Sequence, residues 1–150
     1  RSTWTSLAVG GIFVVVGDGP LLSSLQKRAS SSFRFLGSQP TSSMPSYYQA
    51  ADVVLLTSKA EGMPNILFEA FASGVPVVST PVGGVPSILT HGVHGYLGVT
   101  VDELVDGLDS VLHSSSRKMS QKALSRVVEL GLSWETCAQE YIASYEDVTS

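Results

Sequence analysis

Glu61 and Glu69 stand eight residues apart, with Gly62, Met63, Pro64 and Asn65 directly after the first of them. Pro64 suits the threshold of a helix, where a missing N–H costs nothing, and Gly74 is a stop signal. Asn65 to Ser73 is therefore expected to be helical, with Glu61 in the loop before it and Glu69 inside it. A helix start presents unpaired amides and the positive end of a dipole, which suits a phosphate. Here those amides belong to Asn65, Ile66 and Leu67. Gly62 lets the backbone come close to a ligand. Two carboxylates at the ends of such a cradle are poor phosphate ligands and good acceptors for sugar hydroxyls. The layout fits a molecule with phosphate in the middle and a polyol at each end, as in a nucleoside diphosphate sugar.

The elements that must position these residues alternate in kind. The runs Ile12–Val16, Phe33–Leu36, Val53–Leu56 and Pro76–Ser79 are rich in β-branched or aromatic residues and bounded by turn residues, and Tyr96–Val99 is a weaker fifth. The strongest are continuous rather than alternating, as strands covered on both faces read. Helices are expected over Leu21–Ala29, Pro45–Ala51, Asn65–Ser73, one turn at Val85–Leu89, then Val101–His113, Lys118–Leu130 and Trp134–Tyr145, with Ser114–Ser116 as a linker. Strand–helix alternation implies an α/β fold with a doubly wound parallel sheet, whose ligands sit beyond the carboxyl ends of the strands. The loops to watch are thus Gly17–Pro20, Gly37–Pro40, Thr57–Asn65 and Thr80–Gly84.

Composition narrows the class. The 150 residues fit one domain, and 43% hydrophobic with 15% charged residues can bury a core. A net charge of −4 with scattered Lys and Arg argues against a nucleic-acid partner. One cysteine, Cys137, cannot form an internal disulfide and reads as a buried thiol. The apolar stretch Leu7–Val16 is ten residues, too short to span a membrane. No His/Cys/Asp cluster has metal-ligand spacing. His91, His94 and His113 pair with no nucleophile and read as structural or solvated, Tyr47 and Tyr48 as packing for their short helix, and Trp134 as an anchor for the last helix. Gly17-Asp18-Gly19 reads as a tight turn, and Gly83-Gly84 equally as a turn or as ligand-facing backbone. Ala70, Phe71 and Ala72 place Glu69 at the core edge, where an unpaired charge costs several kcal/mol and calls for a partner or ligand.

Glu61 to Glu69 resembles the E-x7-E motif of the large retaining glycosyltransferase family (family 4, group 1 type) that includes bacterial mannosyltransferases and plant sucrose synthases. Other pieces resemble that family in order: Gly17-Asp18-Gly19-Pro20, Phe35-Leu36-Gly37, Tyr48-Gln49-Ala50-Ala51-Asp52 with Ser58, Glu69 to Val78, Gly83-Gly84-Val85-Pro86 and His94-Gly95. The resemblance implies a Rossmann-like domain, the C-terminal half of the two-domain GT-B architecture. It implies a single nucleotide-sugar-binding domain over residues 1–150, with C-terminal helices over about 101–146. In the family's manner, Glu61 would serve as the catalytic residue and bind hydroxyls of the donor sugar, with the amides of Gly62 and Met63 on the same sugar. The amides of Asn65 and Ile66 would take the diphosphate and Glu69 the ribose, while backbone at Ser38 and Gln39 would meet the base. No cofactor and no metal are implied. The reaction would move a hexose from a nucleotide diphosphate sugar to an acceptor with retention.

The departures are as informative. The family's Arg and Lys pair, which neutralises the leaving diphosphate, should precede Ile12 together with the domain's first strand. Arg1 is too isolated for that role and Lys59 does not match it. The N-terminal acceptor domain is the expected partner, and the isolated chain is expected to be inactive. Ser87 stands where the family often has a glutamate. The whole protein is expected in the cytoplasm, at the cytoplasmic face of a membrane if it associates with one. A non-hydrolysing nucleotide-sugar epimerase and a degenerate domain used for interaction stay open as alternatives.

Overall fold

The structure, a computed structural model, describes residues 11–131. Cys137, Trp134 and the helix expected over Trp134–Tyr145 lie outside the described residues. The chain divides between Tyr47 and Tyr48 into two units. The first holds β1 (Phe13–Val16), α1 (Leu22–Arg28), β2 (Phe33–Gly37) and a 3-10 turn at Thr41–Ser43 that runs into α2 (Met44–Ala50), whose residues from Tyr48 onward belong to the second unit. The second holds β3 (Val54–Leu56), α3 (Asn65–Ala72), β4 (Val77–Ser79), α4 (Val85–Ile88), β5 (Gly95–Leu97), α5 (Val101–Ser110) and α6 (Ser116–Glu129). All strand pairings between these elements are parallel: β1 with β2, and β3–β4–β5 in that order. This is a Rossmann-like α/β architecture, and each expected strand and helix within the described residues forms to within a few positions of its reading.

In the first unit, Phe13 lies opposite Phe33, and their rings stack with centroids 4.9 Å apart. Coverage here is one-sided. Val14 is 52% exposed, α1 buries none of its residues, and Arg34 and Leu36 face solvent. The expectation that the apolar runs are covered on both faces is therefore corrected for β1 and β2, where Val14, Arg34 and Leu36 are exposed. It holds for β4. All three β4 residues are buried, since the strand is paired on both edges and α3 and α5 pack against it.

The core of the second unit is built from Leu67 and Phe71 of α3, Val77 and Val78 of β4, Val85, Leu89 and Val111, each fully buried. α3 packs against α6, where Met119 and Ala123 are buried. Two features matter for helix placement. Gly107 lets α5 lie so close to the sheet that a Cβ there would meet Tyr96 Cβ at 2.9 Å. Thr100 and Glu103 form a capping box at the start of α5, with the Glu103 carboxylate accepting from the amides of Thr100 and Val99. Those bonds hold the Glu103 carboxyl below its ordinary pKa, the one from Thr100 first.

The linker reading of Ser114–Ser116 is corrected. Backbone from Val111 to Ser115 continues as a π-helical turn directly into α6. The weak helix propensity of serine loses to the burial of Val111 before it and Met119 after it.

His94 is buried, accepts the Thr90 amide at Nδ1 (3.1 Å) and lies against the Phe71 ring. Burial, and after it the charge of Arg126, lowers its pKa from the ordinary 6.5. Neutral His94 is thus the folded form, and below 6.5 the unfolded chain binds more protons. Its stabilisation is complete above that value and is lost as pH falls through the lowered folded pKa. The urea midpoint of the full-length protein is expected to be lower at about pH 5.5 than at about pH 7.5, and His94→Gln should level most of that difference. An undiminished difference in the variant would assign the effect to other groups.

Candidate functional site

The loop after β3 and the loop after β4 are built against each other. Thr80, just past β4, donates its hydroxyl to the Ser58 carbonyl at 2.6 Å, and its amide reaches Leu56 O at 3.0 Å. Ser58, just past β3, turns its hydroxyl onto Glu61 Oε1 at 2.5 Å. The Gly84 amide then donates to Gly62 O at 2.8 Å. Gly83 has φ +55°, and a Cβ on it would lie 1.8 Å from the Glu61 carbonyl oxygen. Gly83-Gly84, open between a turn and a ligand-facing backbone, is thus the buttress of the Glu61 loop. Ser87 turns its hydroxyl back to Gly84 O at 2.7 Å and so belongs to the same turn.

Glu61 is half-buried and fixed by Ser58, while Gly62, Met63 and Asn65 are exposed beside it. The α3 start has no side-chain cap. The Leu67 amide donates to Pro64 O at 3.0 Å and the Leu67 side chain is fully buried. Leu67 is therefore a core residue whose amide is already engaged, which corrects its place among the phosphate donors. Asn65 and Ile66 keep the expected position. Their amides are the first of α3, and no backbone carbonyl among the described residues accepts from them.

Glu69 is exposed, not at the core edge, so burial does not demand a ligand for its charge. The apolar residues after it do turn inward, Ala70 and Phe71 being fully buried, but the helix carries Glu69 to the other side. What holds its carboxylate is Tyr48, whose phenol donates to Oε2 at 2.7 Å. Tyr48 is 6% exposed, and burial, then the Glu69 hydrogen bond and charge, push its pKa well up. Packing alone is the wrong account of Tyr48. Neither this pair nor Ser58–Glu61 has a periodic signature that would single it out in the sequence.

In the first unit, Ser38 and Gln39 follow β2. The Asp18 carboxylate accepts the Ser38 amide at 2.9 Å and the Gly17 amide reaches Gly37 O at 2.8 Å, which ties the two strand-end turns together. Gln39 spends both ends of its side chain, Nε2 on Leu36 O and Oε1 on the Tyr47 hydroxyl. His91 accepts the Leu97 amide, His113 lies beside Asp109 at the surface, and Lys59 is exposed. Among the described residues no group of three or more His, Cys, Asp or Glu is placed to hold a metal, and no described helix is long and apolar enough to cross a membrane.

The family model described as "Glycosyl transferases group 1" matches residues 8–114. The chain belongs to this family. It is 32% identical over 118 residues to a D-inositol 3-phosphate glycosyltransferase of Kribbella flavida, a match over 77% of this chain and 28% of that protein. The chain therefore spans under a third of the length of that curated relative. Anabaena HepE, solved in complex with UDP and glucose, superposes with a TM-score of 0.79 at 21% identity over 91% of this chain and 40% of that one. The C-terminal domain of a group 1 glycosyltransferase from Francisella tularensis superposes with a TM-score of 0.62 at 27% identity, over 73% of this chain and 59% of that one. The fold is that of the C-terminal half of GT-B glycosyltransferases.

The Gly83 buttress is testable directly. Gly83→Ala must displace the Glu61 carbonyl and adopt a left-handed conformation, and should cost at least ~2 kcal/mol of stability. Urea unfolding and hydrogen exchange at the amides of residues 61–63 would read this. Unchanged exchange there would show that the two loops are not coupled.

Proposed function

We propose that the full-length protein is a retaining hexosyltransferase and that residues 1–150 form its donor-binding domain, which holds a nucleotide diphosphate sugar. The observation that carries this reading is the pair of tethered carboxylates, Glu61 on Ser58 and Glu69 on Tyr48, on either side of the uncapped start of α3. The tethers set each carboxylate before a ligand arrives, which is how a site gains rate from orientation.

In this reading the diphosphate lies at the amides of Asn65 and Ile66, where the helix dipole favours its charge as the leaving group develops. Glu69, exposed, accepts from the ribose. Glu61 accepts from the donor sugar with Gly62 and Met63 amides beside it. The named activity of the Kribbella relative and the UDP and glucose of the HepE complex support a donor of this class. The acceptor-binding half, and the cations that neutralise the diphosphate, are assigned to the remainder of the full-length protein.

Calorimetry of the full-length protein with UDP, GDP and ADP and their sugar conjugates tests the reading. One nucleotide series should bind, and Glu69→Ala should weaken it roughly tenfold, the worth of one hydrogen bond to a charged group. Glu61→Ala should leave the free nucleotide bound and lower kcat with the sugar donor by roughly a hundredfold or more. Small and equal effects of both changes would mean surface carboxylates. An altered free nucleotide sugar formed without acceptor would mean an epimerase.

A further inference from the structure

Glu69 is exposed on α3, and a free glutamate there would spread over several rotamers and hold no fixed direction. One partner restricts it. The Tyr48 hydroxyl, on a side chain only 6% exposed, donates to Glu69 Oε2 at 2.7 Å. Its raised pKa keeps the phenol a donor across the working pH range. A phenol has one proton to give, and the structure records it going to this carboxylate. With Oε2 held by the Tyr48 hydroxyl, the carboxylate is restricted to one orientation, and its remaining lone pairs are left for a ligand. That is the arrangement of an acceptor built to select ligands that carry a hydroxyl over ligands that lack it.

We propose that Tyr48 is the positioning residue through which Glu69 discriminates nucleotides bearing ribose hydroxyls from those lacking them. This rests on the reading of Glu69 as the ribose acceptor. Tyr48 touches no ligand itself. It acts by fixing the carboxylate, so its loss should lower selectivity rather than abolish the site. Phenylalanine keeps the ring that fills the buried space and removes only the hydroxyl, so Tyr48→Phe separates orientation from packing.

The test uses the full-length protein and whichever of UDP, GDP or ADP binds it most tightly, beside the 2′,3′-dideoxy form of the same nucleotide. The wild type should prefer the ribonucleotide. Tyr48→Phe should weaken the ribonucleotide about five- to tenfold and leave the dideoxy form within about twofold, with donor KM rising more than kcat falls. In a Glu69→Ala background, Tyr48→Phe should add nothing to the loss of nucleotide affinity. Loss of selectivity in Glu69→Ala but not in Tyr48→Phe would overturn this inference and leave the ribose reading standing. Equal weakening of both nucleotides by Tyr48→Phe would also overturn it, since a packing defect acts that way. Unchanged selectivity in Glu69→Ala would remove the ribose reading and this inference together.

Discussion

The site depends on one steric constraint, the backbone of Gly83 lying against the carbonyl of Glu61. No side chain fits there, since a Cβ would sit 1.8 Å from that oxygen. With the gap closed, the Gly84 amide reaches Gly62 O, and the loop after β3 is carried by the loop after β4. β4 is buried throughout, so a fully packed strand supports the exposed loop. A binding loop on a packed strand end can be exposed and still hold its shape. Exposure at Gly62, Met63 and Asn65 then serves access, while precision comes from beneath.

Side-chain tethers refine what the backbone sets. Ser58 and Tyr48 each spend a hydroxyl on one carboxylate. A hydrogen bond to a charged acceptor is worth more than one between neutral groups, and it limits rotamers that would otherwise have to be frozen on binding. Both carboxylates are therefore held in one orientation before any ligand binds. The tethers differ in setting. Ser58 lies three residues from its glutamate and within the same loop, whereas Tyr48 reaches across from α2 to α3, so the Glu69 direction depends on how those helices pack.

Much of this was legible in the residue order. Pro64 before α3 and Gly74 after it mark a helix by local chemistry, and the spacing of Glu61 and Glu69 follows from where that helix starts. The strand runs are β-branched and short, so their positions were legible too. Burial was less so. Val14 and Leu36 look like core residues by type, yet whether a face is covered depends on elements distant in sequence. Glu69 was misplaced for a related reason. Apolar neighbours in sequence point to the opposite side of a helix, and only α6 packing on α3 shows which side is inside. Leu67 follows the same logic, with its side chain in the core and its amide on Pro64. Hydroxyl-to-carboxylate pairs such as Tyr48–Glu69, 21 residues apart, leave no periodic trace at all.

The central claim is that the uncapped start of α3, between two tethered carboxylates, is where a nucleotide diphosphate sugar sits. The most direct measurement is a crystal structure of the full-length protein with the nucleotide that calorimetry selects. The account predicts diphosphate oxygens at the amides of Asn65 and Ile66, a ribose hydroxyl on Glu69 and the Tyr48–Glu69 hydrogen bond kept. A nucleotide bound elsewhere, with the α3 start in water and Glu69 turned away from the ligand, would contradict it.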